Sequence, residues 1–184
     1  MQPSRFPKPY ADFVARLRVP SGFLLVAAFA WFANPSAQSL GFGLPVSLAG
    51  LALRAWAAGH LAKNQQLATG GPYAYVRNPL YLGTLLVSIG LAVACRSAGL
   101  AILFACVFVF IYLPVIMLEE QHLRQLFPEF EQYAATVPPL FPYRKPRNSD
   151  GRFSLAVYQK NQEYQALLGF LAGVAWLVFR FIST

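Results

Sequence analysis

Charge is scarce in this chain: Asp, Glu, Lys and Arg together make up only 12% of 184 residues, about half the roughly 25% of an ordinary soluble domain. A soluble globular enzyme does not fit that composition. Two cysteines are too few for a disulfide scaffold, and there is no Gly-X-Y period of a collagen-like repeat. A content of 57% hydrophobic residues argues equally against disorder. There is no His-Glu-x-x-His, no Cys-x-x-Cys and no His/Cys cluster, which speaks against a catalytic metal. Acidic residues are the scarcest charge, 7 against 15 basic, for a net +8.

Such an excess of base raises the question of nucleic acid, and the distribution answers it. Ser21 to Leu53 carries no charge, and Pro79 to Leu118 contains only Arg96. The basic residues are confined between apolar runs, which is the pattern of membrane topology and gives no sign of a nucleic-acid partner. The mean hydropathy of +0.45 agrees. Apolar runs predict five spans, near 20–35, 42–61, 79–95, 98–118 and 164–182, hence a single all-α polytopic bundle over 1–184. The turn Asn34-Pro35-Ser36 and the corner Arg96-Ser97 make spans 1–2 and 3–4 read as hairpins. Basic residues before the first apolar run resemble a signal peptide, but an uncleaved span is the expectation.

An N-terminus on the cytoplasmic side puts 12 of the 15 basic residues inside: Arg5, Lys8, Arg16, Arg18, Lys63, Arg77, Arg124, Arg144, Lys145, Arg147, Arg152 and Lys160. The positive-inside rule therefore predicts an inner-membrane protein with both long polar loops in the cytosol. Arg96 and Arg180 fall outside, and Arg54 falls within a span, where a charge points to a function or snorkels to the headgroups. Cys95 and Cys106 read as packing residues.

Two polar segments carry chemistry. The first runs Gly70-Gly71-Pro72-Tyr73-Ala74-Tyr75-Val76-Arg77-Asn78-Pro79-Leu80-Tyr81-Leu82-Gly83. Asn78 suits an N-cap and Pro79 the first helical position, and Arg77 beside the helix start is a forked donor for an anion. Gly83 leaves room for a ligand or a neighbouring helix. The second segment holds Glu119-Glu120, with Leu123, Phe127, Tyr133 and Val137-Pro138 behind it. Glu120 has Arg124 at i+4 for a weak ion pair, whereas Glu119 has no basic partner in its own helix. His60 and His122 read as hydrogen-bonding groups before they read as bases.

These blocks, spanning roughly Arg54 to Pro142, resemble the integral-membrane methyltransferases that include isoprenylcysteine carboxyl methyltransferase and the phospholipid N-methyltransferases. The resemblance rests on Gly71-Pro72-Tyr73 with Arg77-Asn78-Pro79-Leu80-Tyr81-Leu82-Gly83, and on Glu119-Glu120 with Leu123, Phe127, Tyr133 and Val137-Pro138. It implies S-adenosylmethionine as methyl donor in a cytoplasmic pocket, and a lipophilic acceptor, an isoprenylcysteine-like carboxylate or a lipid amine, arriving from the bilayer. One departure is Asn78, where many members have histidine; asparagine still caps and bonds but cannot act as a protonatable group.

The implied cofactor contacts are Gly71, Tyr73, Arg77, Asn78, Tyr81, Gly83, Glu119, Glu120 and Tyr133, with Val137 closing the pocket. Arg77, Glu120 and Arg54 are the expected catalytic set, orienting a carboxylate acceptor or deprotonating an amine. A helix start with Arg77 suits the donor's carboxylate, and Glu119 or Glu120 its ammonium. Two other readings remain: an NADPH-dependent sterol-type reductase, which shares a similar tyrosine-Arg-His-Pro block, and a non-catalytic lipid-binding membrane protein. The stretch 152–163, with Phe153, Leu155, Val157 and Tyr158, reads as an interfacial segment able to gate lipid entry.

Overall fold

A computed structural model describes residues 8–63, 65–143 and 151–183. The helices are α1 (Lys8–Phe32), α2 (Ala37–Ala58), α3 (Pro79–Cys95), α4 (Ala98–Val107), α5 (Leu113–Leu126), α6 (Phe130–Thr136), α7 (Leu155–Lys160) and α8 (Tyr164–Ile182). A 3-10 turn lies at Gly71–Ala74 and a π turn at Phe108–Tyr112 joins α4 to α5. The described residues contain no strand, as the all-α expectation requires. Arg5, Arg144, Lys145 and Arg147, part of the topology argument, lie outside the described residues.

Among the described residues, three helices are long and apolar enough to cross a membrane: Ala37–Ala58, Ala98–Leu126 and Tyr164–Ile182. Pro20–Phe32 and Pro79–Cys95 are apolar but shorter. All five expected spans thus fall on apolar helix, and the third and fifth match their boundaries. The second begins at Ala37, five residues earlier than expected, because Ser36 and Ser39 form a reciprocal capping box: each hydroxyl accepts the other's backbone N–H, at 3.2 and 2.9 Å. The first helix continues back through Pro20 to Lys8.

The hairpin expectation is corrected for spans 1–2 only, since α3 and α4 do pack against each other across the Arg96-Ser97 corner. The most extensive packing is between α2 and α3, while α1 runs along α4 and α5. Small residues spaced seven apart make the α2–α3 contact close: a Cβ on Gly50 would lie 2.6 Å from the Gly83 carbonyl oxygen, and one on Gly83 2.8 Å from that of Gly50. Gly43 and Gly90 repeat the arrangement two turns on. Ser47 Oγ donates to the Val87 carbonyl at 3.1 Å and Ser39 Oγ to that of Ala94 at 2.9 Å, which ties the helices by polar bonds suited to a lipid surround. Gly83 therefore serves the approach of the neighbouring helix, one of the two uses expected of it.

Gly50→Ala is expected to cost about 1–3 kcal/mol, because backbone atoms oppose the added methyl and cannot swing away. Gly41→Ala, on the same helix at a position where an added Cβ meets nothing within 4 Å, is expected to be neutral or to stabilise by up to about 1 kcal/mol. Thermal melts of the two variants in detergent check the contrast.

At one end of the bundle, Cys95 is buried with Ala33, Leu100 and Leu177. Arg180 and Trp176 of α8 donate to the carbonyls of Ala33 and Ala30 and so fasten α8 to α1. Cys106 is exposed on the outer face of α4, against the packing expectation. At the other end, Pro114 stands where a regular helix would require its missing N–H, and the wider π turn before it absorbs the clash. That turn sets Tyr112 edge-on to Tyr81, with ring centroids 6.0 Å apart, at the entrance to the polar end.

Candidate functional site

The polar end is built where α2 and α5 end, where α3 and α8 begin, and where α6 and the segment after it fold back. Its centre is Glu120, a carboxylate with a side chain only 9% exposed. It accepts from Arg77 Nε at 2.9 Å and Nη2 at 3.0 Å, and from Asn78 Nδ2 at 2.9 Å. Arg77 Nη1 in turn donates to the carbonyls of Ala134 and Val137, both at 2.9 Å. The backbone N–H groups of Arg77 and Asn78 donate to Pro138 and Pro139 at 2.8 and 3.1 Å. One arginine thereby joins the start of α3, the end of α5 and the turn after α6. A buried charge is tolerable on these terms because it is paired and its acceptor positions are filled.

This geometry revises two expectations. Asn78 stands at the N-cap of α3 but its side chain caps nothing; the amide goes to Glu120 and, at 3.0 Å, to the Pro139 carbonyl. Arg77 is not an open fork waiting for a ligand carboxylate, since Nε, Nη1 and Nη2 are all committed within the fold. The expected Glu120–Arg124 pair is long, 3.9 Å, and Arg124 instead meets Glu131 at 2.9 Å and covers the Phe130 ring. Arg77 and Glu120 together form a clamp.

Glu119 differs from its neighbour. It accepts a hydrogen bond from the Tyr81 hydroxyl at 2.7 Å, and no basic side chain pairs with it among the described residues. It lines a cavity of about 340 Å³ together with Lys63, Leu67, Tyr73, Leu123, Phe127, His122 and Tyr133, whose inner wall is the clamp. A second, more polar cavity of about 460 Å³ shares Glu119, Lys63 and Leu61 and is bounded by Arg54, Tyr81, Thr84, Tyr112 and Glu163. Both volumes fall in the range of about 300–1,000 Å³ usual for small-molecule sites.

Of the expected contacts, Tyr73, Arg77, Asn78, Glu119, Glu120 and Tyr133 line the first cavity, and Tyr81 and Arg54 the second. Gly71 lines neither. Its backbone has φ +57°, a left-handed turn that favours glycine, and a Cβ there would strike the His60 ring at 2.6 Å. His60 bonds to the Trp56 and Gly151 carbonyls and is a packing residue; His122 sits exposed at the cavity rim. Tyr133 donates to the Tyr73 carbonyl at 2.8 Å. Burial pushes the Tyr73 phenol well above its ordinary value, with Tyr133, Glu119 and Glu163 adding to the shift, so it stays neutral. Among the described residues no group of three or more His, Cys, Asp or Glu side chains is placed to hold a metal.

Sequence reasoning missed Glu163. It takes Arg54 in a two-bond fork, Nε to Oε1 at 2.6 Å and Nη2 to Oε2 at 3.0 Å, while Arg54 Nη1 donates to Thr84 Oγ1. An arginine inside a span needs a counter-charge. That need was a usable signal, because few of the seven acids adjoin an apolar run.

An apolar helical bundle with helices long enough to cross a bilayer and paired polar cavities at one end defines an integral membrane protein. More specifically, the chain belongs to the phospholipid methyltransferase family, which matches residues 17–129. The cobalt-zinc-cadmium resistance protein CzcN of Cupriavidus metallidurans is 39% identical over 111 residues, covering 59% of this chain and 50% of that protein. The nickel-cobalt-cadmium resistance protein NccN of Alcaligenes xylosoxydans xylosoxydans is 34% identical over 112 residues, 59% of this chain and 53% of that protein. The chain spans about half the length of these curated relatives. No solved structure matches it.

Proposed function

We propose that this protein transfers a methyl group from S-adenosylmethionine to a lipophilic acceptor, with its polar end at the cytoplasmic face of the inner membrane. One observation carries the reading: Glu119, without a basic partner among the described residues, stands in the wall shared by the two polar cavities. The family supports methyl transfer. Lys63, Arg77, Arg124, Arg152 and Lys160 gather on the polar end and support its cytoplasmic placement.

The first cavity fits the donor. Its carboxylate wall suits an ammonium, Lys63 suits a carboxylate, and Phe127, Tyr73 and Tyr133 offer aromatic surface for a purine. Bound there, S-adenosylmethionine supplies a methyl group made electrophilic by its sulfonium. The chain's own contribution is alignment. Tyr81 fixes Glu119 by its hydroxyl, and the clamp of Arg77, Glu120 and Asn78 holds α3, α5 and the turn after α6 in register around the cavity. The second cavity admits the acceptor beside Glu119, and Tyr112 and Tyr81 narrow its approach. A displacement of this kind takes its rate from positioning and electrostatics and needs no covalent nucleophile.

Calorimetry on the detergent-purified protein tests the reading. Binding of S-adenosylmethionine and S-adenosylhomocysteine but not NADPH is expected, followed by transfer of labelled methyl from S-adenosylmethionine into a lipid extract. A folded protein that binds neither donor nor product, or that binds NADPH alone, overturns it.

A further inference from the structure

The Arg54–Glu163 pair occupies an unusual place. Beyond it lies an apolar groove of about 680 Å³ between α1, α2, α3, α4 and α8, lined by Phe29, Leu51, Leu91 and Trp176 among others. Arg54, Thr84 and Ala166 border both this groove and the polar cavity that contains Glu119. The ion pair is therefore the partition between a hydrocarbon-sized space and the polar end.

Three features mark the partition as an anion site with its own occupant. Arg54 Nε and Nη2 present a fork to one carboxylate-sized position, a geometry that fits a planar or tetrahedral oxyanion, and Thr84 braces the guanidinium by accepting from Nη1 while its own hydroxyl donates to the Leu80 carbonyl. Glu163 reaches Arg54 from a sharp joint between α7 and α8, where Gln162 has φ +54°, a conformation that costs a side-chain-bearing residue energy. Upstream of that joint the chain is tied independently: Asn161 Nδ2 donates to the carbonyls of Ala58 and Leu61 at 2.8 and 2.9 Å, and the Ser154 N–H donates to that of Gly59 at 3.0 Å. Release of Glu163 thus frees the joint without unseating α7.

We propose that Arg54, braced by Thr84, forms an oxyanion site at the mouth of the groove, that Glu163 is its resident occupant, and that an anionic single-chain lipid displaces Glu163 and opens the partition. The ligand class is a carboxylate or phosphate monoester carried on a hydrocarbon chain: the charge matches Arg54 and the chain matches the groove. This site is independent of what the first polar cavity binds.

Trp176 in the groove reports occupancy. In a Trp31→Phe/Trp56→Phe background in nanodiscs, quenching of Trp176 by nitroxide-labelled stearic acid is compared with quenching by its uncharged methyl ester. The acid is expected to bind more tightly than the ester. Glu163→Gln, which removes the competing charge but keeps the shape, is expected to strengthen acid binding roughly tenfold and leave the ester unchanged. Hexadecyl phosphate is expected to compete and inorganic phosphate is not; competition by both would assign the site to free anions and overturn the lipid part. Arg54→Gln is expected to erase the preference for the acid, and Glu163→Gln carries the test alone if that variant does not fold. Equal acid and ester binding in every variant, or equal strengthening of both by Glu163→Gln, overturns the proposal. S-adenosylhomocysteine calorimetry on the same samples separates the two ideas, since failure there with the quenching pattern intact sinks the methyl-transfer reading and leaves this site standing.

Discussion

Arg77→Ala is expected to destabilise the protein by about 3–5 kcal/mol and to abolish measurable S-adenosylhomocysteine binding. The cost follows from what the substitution leaves behind. Glu120 would remain buried with one amide donor and a distant Arg124 in place of a two-bond guanidinium, and removing one partner of a buried pair is far more damaging than removing both. The carbonyls of Ala134 and Val137 lose their side-chain donor in the same step. The double substitution Arg77→Met/Glu120→Leu is expected to recover a large part of the thermal stability, because no uncompensated charge stays inside. It is not expected to restore binding, since the turn after α6 is still released from α3. Melting curves and calorimetry on the three proteins check this. Full stability in Arg77→Ala would show that the clamp carries no weight.

Local patterns in the sequence were a good guide to where helices stop, and a poor guide to what side chains do once the helices pack. Pro79 opens α3 and the Arg96-Ser97 corner closes it, because a proline's fixed φ and a left-handed residue are local constraints. The last span needed only an apolar run between Glu163 and Ser183. Asn78 and Arg77 are different. Asparagine before proline is a good cap by propensity, but a buried carboxylate from 42 residues away makes a stronger claim on its amide. Arg77 looked available because the carbonyls of Ala134 and Val137 that consume its Nη1 come from a turn whose position depends on tertiary packing. The same limit hid Glu163, which lies 109 residues from Arg54. Helix order also misled: chain neighbours suggested that the first two spans pair, whereas the glycine-lined faces of α2 and α3 allow a closer approach.

Glu119→Gln is expected to weaken S-adenosylhomocysteine binding roughly 10- to 100-fold while leaving the melting temperature unchanged, the opposite of the Arg77 result. A hydrogen bond to a charged group is worth about 1.5–3 kcal/mol, and the substitution removes the charge that would meet the ligand's ammonium. Folding loses little, because the glutamine carbonyl oxygen still accepts from the Tyr81 hydroxyl and no ion pair of Glu119 is broken among the described residues. The adjacent carboxylates thus separate into two tasks. Glu120 is consumed by the fold, with Arg77 and Asn78 filling its acceptor positions; Glu119 is held by one phenol at the wall between two cavities. If Glu119→Gln binds as tightly as the unaltered protein, the ammonium contact lies elsewhere in the cavity. Calorimetric titrations at low and high salt sharpen the result, because a contact made by a charge weakens with ionic strength in the unaltered protein and loses that dependence in the variant.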